Sequence, residues 1–77
     1  MPVNRIKMWL DVVANALEQW PKKDNCPPTE AAFVILRRHV PPDLRAKMAS
    51  ALPFLPTDDF DEAANIIRQA AKNLSRW

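Results

Sequence analysis

Apolar residues near the start of the chain recur at helical spacing. Ile6, Leu10, Val13, Leu17 and Trp20 are separated by four, three, four and three positions, which is one face of a helix. Trp9, Val12 and Ala16 widen that face, and Arg5, Asp11, Asn15 and Glu18 fall away from its centre. The pattern predicts a first helix over about 4–20, with Asn4 as its N-cap and Pro21 as its stop. The polar, proline-bounded "PKKDNCPP" after it reads as a loop.

Three further helices follow. The second is predicted over about 29–39, capped by Thr29, with Glu30 in its first turn and Ala32, Phe33, Leu36 and Val40 as a buried stripe widened by Ala31 and Ile35. Its run "AAFVIL" is almost wholly apolar, so this helix is expected to be the innermost. A buried strand fits the same six residues, but no second strand candidate exists to pair with it. Pro41 ends the second helix and Pro42 opens a third over about 42–52, which turns Leu44, Met48, Ala51 and Leu52 inward. The fourth, over about 58–75, has Thr57 or Asp58 as cap, an acidic start (Asp59, Asp61, Glu62) and a basic finish (Arg68, Lys72, Arg76), as the helix dipole favours.

Four helices joined by proline-containing turns imply an all-α fold, a compact bundle or a short stack of helical-repeat kind, within one domain spanning 1–77. A pairing of the first and fourth helices would bring Trp9 or Trp20 near Trp77. Composition changes this picture at one point: the chain has no glycine. Phosphate-cradling loops of the Walker and dinucleotide-binding types need glycine for their backbone angles, so neither is present. A net charge of +2 permits an acidic partner without demanding one. One cysteine allows no internal disulfide and fits a reducing, cytoplasmic setting.

Candidate chemistry is sparse. Cys26, His39 and either Asp24 or Asp43 supply the residue types of a thiol triad, but nothing supplies an oxyanion hole. One Cys and one His do not make a zinc site, and the cluster Asp58, Asp59, Asp61 and Glu62 lacks the glycine and spacing of a calcium loop. No catalytic residue, metal or cofactor is expected. A surface helix over 4–20 carries as much acid as base, which suits an anionic membrane poorly. Arg37, Arg38, Arg45 and Lys47 surround a tight inter-helix turn, as in a helix-turn-helix. Against nucleic-acid binding, Asp43 opens the would-be reading helix and few base-reading side chains follow it.

The segment "LRRHVPPDLRAKMASALP", residues 36–53, resembles the recurring unit of a bacterial family of small all-helical proteins of uncharacterised function. An Arg-rich helix end leads there into a Pro-Pro or polar turn, and an Ala- and Leu-rich helix closes in Leu-Pro. Arg37, Val40, Pro41, Pro42, Ala49, Leu52 and Pro53 fit that outline, and "PPTEAAFVILRR" is similar to a second, actinobacterial family of small helical proteins. The chain carries one such unit where members of the first family tend to carry two. The resemblance implies the helical fold and no catalytic residue.

The expected function is therefore non-enzymatic: an interaction or adaptor module that binds another protein or a second copy of itself. The candidate contacts are the basic corner (Arg37, Arg38, Arg45, Lys47), the "PFLP" connector (Phe54, Leu55), and the aromatics Trp9 and Trp77. A weak nucleic-acid binder using the same basic corner is the alternative.

Overall fold

The computed structural model describes residues 2–21 and 25–74. It contains four helices: α1 (Pro2–Glu18), α2 (Pro28–His39), α3 (Pro42–Ala51) and α4 (Phe60–Leu74), with no strand among the described residues. The chain is the all-α four-helix bundle that its periodicity predicts.

The helix ends show how the bundle is made without glycine. α2 and α3 open with the same device, Pro27-Pro28 and Pro41-Pro42, the first proline capping and the second occupying the first turn. A residue before proline is pushed to extended angles, and Pro27 (φ −68°, ψ 155°) and Pro41 (φ −56°, ψ 145°) sit there. The second proline lacks the N–H that would otherwise be orphaned. Thr29, expected as the cap of α2, therefore lies inside its first turn. The residues that cap the C-termini of α2 and α3, Val40 and Leu52, each precede a proline and are again in extended conformation. No described residue has a positive φ.

α1 and α4 depart from expectation in smaller ways. α1 begins at Pro2, so Asn4 is inside it. It ends at Glu18, where Gln19 and Trp20 donate to Ala16 and Leu17 at 3.2 and 3.1 Å, a tightened final turn. The cap of α4 is Asp59, in place of Thr57 or Asp58: its Oδ1 accepts from the backbone N–H of Asp61 (2.9 Å) and Glu62 (3.3 Å). Thr57 supports that cap by accepting from the Asp59 N–H (3.1 Å) and donating to Glu62 (3.2 Å).

The core centres on α1. Leu10, Val13, Ala14 and Leu17 are fully buried, and α1 packs against each of the other three helices. α4 packs chiefly on α1, through Ala63, Ala64, Ile67 and Ala71. Three of those four are alanines, which lets the two helices approach closely. α2, expected to be innermost, packs on α1 and α3 with Ala31, Ala32, Ile35 and Leu36, and turns Phe33 outward. Its apolar residues occupy more than one face, and one face suffices for the contact with α1 and α3.

Polar side chains fasten the surface. Arg68 of α4 donates to Glu18 and, at 2.7 Å, to Asn15, both on α1. The hydrogen bond from Arg68, with its charge, holds the Glu18 carboxyl below its ordinary range. Arg5 on α1 reaches Asp43 at the start of α3 at 3.5 Å. Leu55 (5% exposed) plugs the core from the connector after α3, and Phe54 beside it is 80% exposed.

Candidate interaction surface

The residues singled out by sequence divide into three groups. Arg37 and Arg38 are exposed on the last turn of α2, and Lys47 is exposed on α3. Arg45 serves the backbone, because its Nε donates to the Val40 carbonyl oxygen at 3.2 Å and so satisfies an acceptor at the end of α2. Leu55 belongs to the core, and Trp9 is half-buried against it. Trp77 lies outside the described residues, as does Asp24.

The basic corner and the "PFLP" connector flank α3 on its two sides in sequence. Arg37 and Arg38 lie on the last turn of α2, before α3, and the connector follows α3, with Arg45 and Lys47 within the helix between them. The triad residues are apart. Cys26 precedes α2 and His39 closes it, so the twelve-residue helix, about 18 Å long, stands between them. The Cys26 thiol instead donates to Pro27 O (3.6 Å) and Glu30 Oε2 (3.8 Å), and Asp43 pairs with Arg5. Among the described residues, no three His, Cys, Asp or Glu side chains gather as a metal site would require. No helix there is long and apolar enough to cross a membrane.

What the structure does assemble is the outer face of α2. Glu30, Phe33, Val34 and Arg37 stand at positions i, i+3, i+4 and i+7, one stripe along the helix. Phe33 is 40% exposed and Val34 partly so, between an exposed carboxylate and an exposed guanidinium. Alongside runs an open groove of about 600 Å³, walled by Trp20, Cys26, Glu30, Val34 and Arg38. The indole Nε1 of Trp20, a residue of the groove wall, is buried without a hydrogen-bond partner.

Periodicity alone assigns Phe33 to the buried stripe and does not single out Val34. A signal is present in the sequence: Ala31, Ala32, Ile35 and Leu36 already form a complete inward stripe, which leaves Phe33 and Val34 on the side that Glu30 and Arg37 occupy. No family model, curated protein or solved structure matches the chain significantly. What this surface can do follows from its own geometry.

Proposed function

We propose that the chain is a non-enzymatic protein-binding module whose docking surface is the outer face of α2. The observation that carries this reading is Phe33, 40% exposed and flanked on its stripe by Glu30 and Arg37. An aromatic with neighbouring arginines is the composition enriched at interface centres. The fitting partner brings an apolar side chain to cover Phe33 and Val34, and a carboxylate for Arg37 or Arg38. A cytoplasmic setting suits a module whose lone cysteine calls for no oxidising compartment.

The test is selection of binding peptides from a random display library, followed by amide chemical-shift mapping on the labelled protein. The expected shifts fall on residues 30–38, and Phe33→Ala weakens binding at least tenfold, as loss of a central aromatic does. Selected peptides that map elsewhere, or that ignore the substitution, overturn the reading. Titration with duplex DNA supplies the contrast. Binding that falls steeply with salt and disappears in Arg37→Ala/Arg38→Ala would favour a nucleic-acid partner instead.

A further inference from the structure

The exposed stripe of α2 is complementary to itself when turned end for end. Glu30 and Arg37 stand at equal distances on either side of a point midway between Phe33 and Val34. Rotating a second copy by half a turn about an axis through that point sets Glu30 of each copy against Arg37 of the other. Phe33 of each then faces Val34 of the other, beside the groove walled by Trp20 and Arg38.

We infer that a second copy of this chain occupies this surface, α2 packed antiparallel on α2 across a two-fold axis. The inference names the occupant of the docking surface proposed above and rests on that reading.

Two observations select this arrangement over others. A parallel pairing in register would place Glu30 against Glu30 and Arg37 against Arg37, so like charges oppose it. The wider charge distribution agrees with the antiparallel one. Asp58 and Phe60 share a groove with Asn25, Cys26, Pro27 and Pro28, which puts the acidic start of α4 beside the start of α2. Arg37, Arg38 and His39 occupy the other end of α2. Turning one copy end for end brings the acidic end of each toward the basic end of its mate, and the two helix dipoles run in opposition. The contact is isologous and closes on itself, as two-fold dimers do. It spans only the three turns of α2, so it falls below the standard size class and makes a weak, concentration-dependent dimer.

Sedimentation equilibrium from about 10 μM to about 1 mM tests this, the span in which so small an interface associates. The wild-type chain is expected to show a monomer–dimer equilibrium. Glu30→Arg alone sets Arg against Arg, and Arg37→Glu alone sets Glu against Glu. Each single variant should raise the dissociation constant at least tenfold. Mixed in equal amounts, the two singles restore both opposite-charge pairs and should form a heterodimer. The double variant Glu30→Arg/Arg37→Glu should regain the homodimer. Circular dichroism of each variant, expected to match the wild-type helix signal, separates loss of association from loss of fold. A wild-type chain that stays monomeric throughout overturns the pairing, as does a dimer that ignores both reversals. A monomer that still binds selected peptides at Phe33 also overturns the pairing, while leaving the module reading in place.

Discussion

Arg45 Nε donates to the carbonyl oxygen of Val40 across 3.2 Å, joining the first turn of α3 to the C-terminal cap residue of α2. Helix C-termini leave carbonyls without partners, and a glycine-based cap would ordinarily serve them. In a chain without glycine the guanidinium does part of that work from the next helix. Arg45→Ala should therefore cost about 1 kcal/mol in urea unfolding, the usual net worth of such a bond. Arg37→Ala, which removes an equally basic side chain from the exposed end of α2, should stay within about 0.5 kcal/mol of wild type.

The cap of α4 gives a second contrast between close neighbours. Asp59 accepts two backbone N–H groups, and no bond of that kind runs to the Asp58 carboxylate. Asp59→Ala should destabilise the domain by about 1 kcal/mol, whereas Asp58→Ala should change it by less than half as much. Thermal unfolding of the two variants side by side reads the difference. Equal effects would mean that only the acidic charge near the helix start matters.

Phe54 and Leu55 are adjacent and apolar, yet one is exposed and the other belongs to the core. Leu55→Ala should lower the urea midpoint by an amount equivalent to about 2–3 kcal/mol, from lost transfer energy and the cavity left behind. Phe54→Ser should leave the midpoint nearly unchanged, because the ring is already in water.

The helical periods, the proline stops and the acidic-to-basic course of α4 are legible in the sequence because they are local. A proline ends a helix that reaches it from the N-terminal side and is accepted only in a first turn, and a period of three and four needs no knowledge of the neighbours. Which apolar stripe of α2 faces inward is a different kind of fact. "AAFVIL" offers two stripes, and the choice belongs to α1 and α3, which cover Ala31, Ala32, Ile35 and Leu36 and leave Phe33 outside. The same holds for Arg45, whose partner is five residues away across a turn, and for Leu55, whose burial requires the assembled bundle. At the start of α2, cap preference alone ranks Thr29 above Pro27, because a threonine hydroxyl can accept a backbone N–H. The Pro27-Pro28 pair fixes the backbone two residues earlier, and that constraint wins.

Glu18 and Arg68 tie stability to pH. The hydrogen bond and charge of Arg68 depress the Glu18 carboxyl in the folded state, relative to its ordinary value near 4.5. The folded chain thus holds this carboxylate more strongly than the unfolded chain does. The stabilisation is present in full above the ordinary value and disappears as pH falls through the depressed one. The Arg68 guanidinium, raised by Glu18 from an already high value, stays charged throughout and sets no limit in this range. Glu18→Gln should be less stable than wild type at neutral pH, and the difference should shrink as pH falls through the depressed value, as urea midpoints across the acid range would record.

The same contact joins residues fifty positions apart, on the two helices that pack most extensively on each other, and Leu10, Val13 and Leu17 of α1 are buried in that core. On a ribosome adding about 5–20 residues each second, α4 follows α1 by roughly 3–10 s. Until α4 is made, Leu10, Val13 and Leu17 cannot all be covered, because α2 and α3 leave the α4 side of α1 open. The domain therefore cannot complete its fold progressively as it emerges. It waits for α4, with the side of α1 that α4 covers left open for that interval.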